Sequence, residues 1–416
     1  MHLFNPENDL ALANFKANYT PPASAVRMAR ELAVFPIWYA GEKAINGKGA
    51  LVIAEGTDNR SFLNKMKEVL PLQASLVPFC DIALYSDEQI IPWGWNPSLV
   101  RRLRTHGASE SQLPSLEEME RLRGYSNRVH AVEVLRELRL QEVQAFTGES
   151  RFFLEIEELL AYLEFIPGDK VLKMPLSGSG KGLVWILGGI TDKQTDWCRR
   201  VIREQGGVVA EPVMDRVKDF AMEFYLDHGK TRFAGYSLFR TANSGAYMGN
   251  ELLTDTRVEE ILSRYASPAL LHQLKNHLLK ELSSRFSLYR GYMGVDMMVC
   301  NTVDGYKVHP CVEINARMNM GVASRVFHER FVRPGREGMF AVDYFKKPGE
   351  ALSFHREMER EHPLVVEYEK VSSGYLPMTP VTAETRYMAY AAIGRAPSPY
   401  LRSESFSTNS VVAVSE

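Results

Sequence analysis

Short apolar runs alternate with amphipathic stretches along the first hundred residues. "MHLF", "FPIWYA", "LVIAE" and "ASLVPF" read as strands, and "SAVRMARELA" between the first two has helical spacing. That alternation predicts an α/β layer. The period then lengthens. "PSLEEMERLRG" predicts a helix opened by a capping box, Ser115 with Glu118, and closed by Gly124. "SNRVHAVEVLRELRL" predicts a second helix capped by Ser126, and "FFLEIEELLAYLEF" a third. "DKQTDWCRRVIREQGG" and "PALLHQLKNHLLKELSSRF" are two more. Between these two the period drops to two. "VVAEPVM" reads as a strand, and "DFAMEFYLD" with "RFAGYSLFR" as a hairpin turned at His228-Gly229. Beyond the long helix, "YMGVDMMVC" and "YKVHPCVEIN" form a pair joined through Asp304-Gly305, and "LVVEYEKV" with "ETRYMAYAAI" a last hairpin. No repeat or low-complexity tract interrupts the pattern.

A chain of 416 residues has room for two or three domains. Lys+Arg 49 against Asp+Glu 51 gives a net charge of −2, which speaks against a dedicated nucleic-acid binder. No apolar run approaches the ~18 residues of a membrane span. "MHLFNPENDLALA" lacks the basic and apolar regions of a secretory signal. Cys80, Cys198, Cys300 and Cys311 form no C-x-x-C pair, as expected of reduced thiols in a cytoplasmic protein. The histidines form no H-x-x-x-H pair, so a zinc site is not expected.

The first candidate for chemistry is "VLKMPLSGSGKGLVW", residues 171–185. A P-loop reads G-x-x-x-x-G-K-[ST] and opens a helix. Aligned on Gly180-Lys181, this stretch has Pro175 in place of the first glycine and Gly182 in place of the Mg-binding hydroxyl. Both failures fall on positions with a mechanical job, so the P-loop is rejected. Strand, flexible loop, strand remains. Gly178, Gly180 and Gly182 let backbone N–H groups approach phosphate oxygens, as in a lid. The plainer reading is a Gly/Ser hairpin loop.

The second candidate is the "GVD"…"VEINAR" hairpin. Residues two apart on a strand share a face, so Glu313 and Asn315 point the same way, and Asp296 on the neighbouring strand can join them. Two carboxylates and a carboxamide make a hard-oxygen set suited to Mg²⁺ that also takes phosphate oxygens. Arg317 follows on that face, where it can meet charge on a transferring phosphoryl group. The plainer reading is a solvated hairpin face.

Together, a basic residue on a helix, a strand ending in lysine, the glycine loop and Asp…Glu-x-Asn-x-Arg resemble the ATP-grasp superfamily, which includes D-alanine–D-alanine ligase, glutathione synthetase and biotin carboxylase. The resemblance covers roughly residues 126–320. It implies α/β and α+β architecture, two α+β lobes gripping ATP behind an N-terminal α/β domain. The expected boundaries are 1–125 for that domain, 126–210 for the lid lobe, 211–340 for the lobe with the metal site, and 341–416 for a C-terminal extension packed on it.

The resemblance also implies roles. Arg128, where relatives usually have lysine, and Lys173 would contact nucleotide phosphates. Ser177, Gly178, Ser179, Gly180, Lys181 and Gly182 would form the lid, with Lys181 near the transferring phosphate. Glu211 and the backbone of Pro212 and Val213 would pair with the adenine edge. Met214 would pack on the ring, and Asp215 or Lys218 would reach the ribose. Asp296, Glu313 and Asn315 resemble the Mg²⁺ ligands, with Mn²⁺ an alternative. Arg317 and Arg240 would face the reacting centre.

The N-terminal domain departs from the family in lacking a glycine-rich loop after its first strand. Asn5, Glu7, Asn8 and Asp9 stand there instead, where α/β folds bind ligands. They are candidate substrate contacts; alternatively Asn8 or Asp9 caps a helix. Trp93 and Trp95 in "PWGWNP" read first as packing and second as pocket lining.

The implied activity is ADP-forming ligation of a small-molecule or peptide carboxylate to an amine or thiol, through an acylphosphate. Rivals are phosphorylation of a small molecule and non-catalytic nucleotide binding. The substrates themselves are not legible.

Overall fold

The computed structural model describes residues 1–41, 49–178, 182–241 and 247–394. Strands β1 (His2–Leu3), β2 (Ala50–Ile53), β3 (Ala74–Val77) and β4 (Ile91–Pro92) form a parallel sheet in the order β3-β2-β1-β4. Every residue of β2 is buried, as a near-continuous apolar run in a parallel sheet requires. "FPIWYA" does not join that sheet. Phe35–Trp38 is a 3₁₀ turn instead. Pro36 has no N–H for a ladder, and Trp38 is drawn into a core where its Nε1 donates to the Met378 carbonyl at 2.7 Å. Its ring meets Phe327 and Phe331 edge-on at 5.6 and 5.5 Å.

Two helices, Leu116–Tyr125 and Val129–Gln141, lead into a small second sheet. The Ser115/Glu118 capping box forms. Gly124 does not close the first helix, which runs on to Tyr125, and Ser126 ends it by donating to the Leu122 carbonyl. The second helix opens on Asn127, whose Oδ1 accepts from the Val129 N–H. The third expected helix is split into strand β5 (Arg151–Phe153) and helix Ile156–Phe165. Pairing of Phe152 and Phe153 with Val209 and Val208 overrides local helix propensity. With β6 (Lys170–Lys173), β7 (Leu183–Ile186) and β8 (Val208–Pro212), β5 makes a sheet in the order β5-β8-β6-β7.

The third sheet is antiparallel and nine-stranded. Its strands are β9 (Arg216–Asp227), β10 (Lys230–Thr241), β11 (Tyr247–Leu252), β12 (Arg290–Thr302), β13 (Gly305–Asn315), β14 (Gly338–Tyr344), β15 (Val365–Glu367), β16 (Lys370–Pro377) and β17 (Tyr387–Ile393). The order is β13-β12-β9-β10-β11-β14-β17-β16-β15. β9 and β10 turn at His228 and Gly229, with φ 46° and 83°, values that suit a tight hairpin turn.

Helices Pro268–Arg285 and Val129–Gln141 cover one face of the β9–β12 region, burying Leu274, Leu278 and Val134 against Phe220, Met222, Phe224 and Val295. The period of two therefore turns Ala221, Glu223 and Asp296 to the opposite face. On that side, helix Met320–Phe331 and strands β14, β16 and β17 share a core with the N-terminal domain, including Phe4, Trp38, Phe327, Phe340 and Leu376. The strand β14 crosses position 340, so the sheet runs unbroken into the C-terminal residues. No helix among the described residues is long and apolar enough to cross a membrane.

Candidate active site

The uncovered face of the sheet floors a cleft of about 430 Å³. Register places its chemistry in two rows. Glu313 lies opposite Asp296, which lies opposite Ala221. One step along, Asn315 lies opposite Gly294, which lies opposite Glu223. The Asn315 amide donates to Asp296 Oδ2 at 3.0 Å. Asp296, Glu313, Asn315 and Arg317 all line the cleft.

The electrostatics of this floor are strained in one direction. Burial pushes the Asp296 carboxyl well above the ordinary range, and the neighbouring Glu313 and Glu223 push it further. Glu223, 2% exposed, is raised by burial to about 7, against hydrogen bonding from Asn319 and the fields of Arg325 and Arg317. Crowded like charges of this kind are what a divalent cation relieves. Two carboxylates and a carboxamide also suit Mg²⁺, which takes few protein ligands. Among the described residues, no group of three or more His, Cys, Asp or Glu side chains is arranged to hold a metal by itself.

Arg317 is turned into the cleft and gripped by Asp9, with two contacts of 2.6 Å from Nε and Nη2. Asp9's charge and hydrogen bonds hold the guanidinium's pKa above its ordinary value despite burial. Two residues singled out for separate reasons, 308 positions apart, are thus one ion pair. Arg128 is also buried, and its guanidinium donates to the Met174 carbonyl at 2.6 Å, Ser177 Oγ at 2.7 Å and Glu313 Oε1 at 2.7 Å. It ties the entry to the glycine loop to the metal-candidate strand. Gly178 sits close under this loop, where an added Cβ would fall 2.0 Å from Asp9 Oδ2. Gly182, at φ 78°, closes the loop by accepting from the Met174 N–H at 2.9 Å. Ser179, Gly180 and Lys181 lie outside the described residues.

Lys173 ends β6 as expected, but its ammonium is buried against Glu211 at 2.6 Å. Glu211 also accepts from Ser150 Oγ at 2.9 Å, and the Val213 N–H donates to the Asp169 carbonyl at 2.9 Å. The groups expected to meet adenine at Glu211, Pro212 and Val213 are thus partly engaged within the protein; Pro212 offers only a carbonyl, and Met214 is half-buried. Asp215 accepts from the Asn301 backbone and side chain at 2.8 and 3.0 Å, which ties it to β12. None of these residues lines the cleft.

Arg240 is a correction. Ser237, Phe239 and Thr241 line the cleft, so alternation along β10 turns Arg240 to the other side, where it pairs with Glu251. The four N-terminal candidates divide. Asn5 is buried and exchanges hydrogen bonds with the Gly94 backbone at 2.8 and 3.3 Å. Asn8 is buried beside Asn96, with its amide against the carbonyls of Gly94 and Trp95. Both pin the "PWGWNP" loop and neither lines the cleft. Glu7 and Asp9 do. No side chain caps the helix Asn8–Asn14. Trp93 serves both readings, since it is buried in the core and lines the cleft, whereas Trp95 only packs.

Sequence reasoning missed Glu223, Asn319 and the tyrosine wall of Tyr247, Tyr344 and Tyr387. The one available signal was Glu223 itself, a lone carboxylate inside the apolar strand "AMEFY". Asn319 caps the helix Met320–Phe331 through Oδ1, leaving Nδ2 to hold Glu223 at 2.8 Å.

No family model matches the sequence, and no curated protein matches it. Solved structures do. The biotin carboxylase–βγ-ATP complex from Campylobacter jejuni is similar with a TM-score of 0.52 at 12% identity, over 94% of this chain and 87% of that one. N5-carboxyaminoimidazole synthetase from Staphylococcus aureus complexed with ADP gives a TM-score of 0.46 at 12% identity, over 86% and 95% of the two chains. The element order, the small sheet facing a large antiparallel one behind a parallel N-terminal layer, and the first of these likenesses agree: the chain has the ATP-grasp fold.

Proposed function

We propose that this chain is an ADP-forming ligase that activates a carboxylate as an acylphosphate and joins it to an amine or thiol. The observation that carries the reading is the row of Asp296, Glu313 and Asn315 beside Arg317 on the floor of the cleft, with Gly178 from the glycine loop on its rim. In this reading Asp296, Glu313 and Asn315 would hold Mg²⁺, which would supply positive charge for the transferring phosphoryl group. Arg128 and Lys173 serve the nucleotide phosphates, the latter after exchanging its Glu211 contact. Arg317, oriented by Asp9, faces the bond that forms between carboxylate and phosphorus. The lid residues Ser177 to Gly182 exclude water from the acylphosphate, and Lys181 acts there on closure. The chain then needs no side-chain nucleophile, since its work is positioning and charge. The likeness to a protein crystallised as a βγ-ATP complex supports the nucleotide assignment.

The test is turnover. A metabolite screen for ADP release with Mg²⁺-ATP, followed by product analysis, is expected to give ADP, phosphate and an amide or thioester. ADP with a stable phosphorylated product would make the chain a kinase, and binding without turnover a non-catalytic protein. Glu313→Gln and Asn315→Ala are each expected to abolish turnover in a folded protein. Normal turnover by both removes the metal assignment.

A further inference from the structure

The charge of the cleft says what its second substrate is. Five carboxylates line it: Glu7, Asp9, Glu223, Asp296 and Glu313. Among the described residues lining it, Arg317 is the one cation, and Asp9 already neutralises it. Asp296 and Glu313 belong to the proposed metal set. Glu7 and Glu223 are left over, and both are costly. Glu7 Oε2 is buried with no hydrogen-bond partner. The nearby Arg102 acts on Glu7 only through space, its guanidinium lying over the Phe79 ring at 3.8 Å. Glu223 is held by the Asn319 amide, and two glycines make room for it. A Cβ at Gly321 would fall 2.2 Å from its Oε1, and one at Gly294 2.7 Å from its Oε2. Buried carboxylates kept without a cation lower stability unless a partner arrives.

Part of the remaining wall is apolar or aromatic. Tyr344 and Tyr387 pack ring to ring at 4.8 Å, and Met28, Met320, Val342 and Phe239 continue the surface. Such a wall covers an apolar body, and its ring faces also attract an ammonium group. A phosphate ester is best met by guanidinium or ammonium groups, and among the described residues of the lining the one such group is Arg317, already engaged by Asp9.

We propose that the acceptor is a primary amine, cationic in solution, on an apolar or aromatic body without phosphate, its charge met by Glu223 and Glu7. This rests on the ligase reading and narrows it to a cationic amine acceptor.

The experiment titrates the full chain, saturated with Mg²⁺ and a non-hydrolysable ATP analogue, with four probes by calorimetry. Tyramine and phenethylamine are the cations, N-acetyltyramine the neutral control and tyramine O-phosphate the anionic one. Both amines are expected to bind at least about tenfold more tightly than either control, the ratio for one lost charge-assisted contact. Glu7→Gln and Glu223→Gln are each expected to weaken amine binding about tenfold, and Glu7→Gln to leave analogue affinity within about twofold. Circular dichroism melting verifies the fold, and Glu7→Gln lies farther from the metal row should Glu223→Gln disturb it. Tighter binding of a control, no amine binding at all, or amine binding that ignores both variants overturns the proposal. Failure to bind the analogue is a different result, which takes down the ligase reading instead.

Discussion

If Glu313 ligates Mg²⁺, then Arg128 and the metal compete for one carboxylate, and removing Arg128 should shift metal and nucleotide affinity in opposite directions. Arg128 is 7% exposed and spends three donors, on the Met174 carbonyl, Ser177 Oγ and Glu313 Oε1, all within 2.7 Å. Arg128→Met keeps an apolar, unbranched stem that stops short of the guanidinium and deletes all three. Breaking a buried ion pair from one side costs about 3–5 kcal/mol. Glu313 is 30% exposed, so water screens part of that and about 2–3 kcal/mol is the expected loss of stability. The released carboxylate is then free for a cation. Binding of metal alone should tighten by about 1–2 kcal/mol, or roughly 5- to 30-fold, because nothing has to be displaced. Binding of the ATP analogue should weaken by about 1.5–3 kcal/mol, since a guanidinium contact to phosphate is gone. Arg128→Lys, a point charge without the fork, should fall between on both measures. Mn²⁺ titration followed by electron paramagnetic resonance reads the metal arm, and calorimetry with Mg²⁺-analogue the nucleotide arm. A folded Arg128→Met protein whose metal affinity falls or stays constant refutes the competition, and with it Glu313 as a ligand.

Three further outcomes follow. Glu223, raised to about 7 from 4.5, binds more protons folded than unfolded, so without metal it removes stability as pH rises between those values, by about 3–4 kcal/mol at most (about 2.5 pH units at about 1.4 kcal/mol each). Buried His2 and His309, lowered to about 4, act oppositely as pH falls below 6.5, so the check is the melting difference between wild type and Glu223→Gln in EDTA, which should grow with pH over that window; a flat difference contradicts it. Lys173→Met should destabilise by about 3–5 kcal/mol, and Lys173→Met/Glu211→Gln should recover most of that, with melting temperatures as the readout; no recovery means the pair is not the source of the loss. Gly178→Ala should lower kcat with little change in melting, because the new Cβ pushes the loop from Asp9; wild-type kcat rules out that close approach in the working enzyme.

Local signals were legible and distant ones were not. The hairpins at His228-Gly229 and Asp304-Gly305 and the capping box at Ser115 are written within a few residues, and they form. "FPIWYA" has strand composition, yet Trp38 is claimed by Met378, 340 positions away, and no local count can see that. The Arg240 assignment failed for a local reason, since its neighbours Phe239 and Thr241 took the cleft side of β10. The three metal candidates were readable because one hairpin supplies them all. Glu223 was passed over because its meaning depends on Asn319, which sits 96 positions later.

Asp9 shows how the parts are coupled. Its carboxylate grips Arg317 at the end of the metal strand, and its oxygen lies where any side chain on Gly178 would collide. The N-terminal turn, the end of the strand that carries Glu313 and Asn315, and the entry to the glycine loop therefore meet on one group. Such a junction has a physical consequence. A substrate that moves the N-terminal helix Asn8–Asn14 moves Asp9, and Asp9 cannot move without turning the guanidinium that it holds by two short bonds. The orientation of Arg317 in the cleft is thus set from the N-terminal domain, which brings Glu7 and Asp9 into the same lining as Glu223 and Asp296. If the proposed function holds, occupancy of the acceptor region and the orientation of Arg317 are coupled through Asp9.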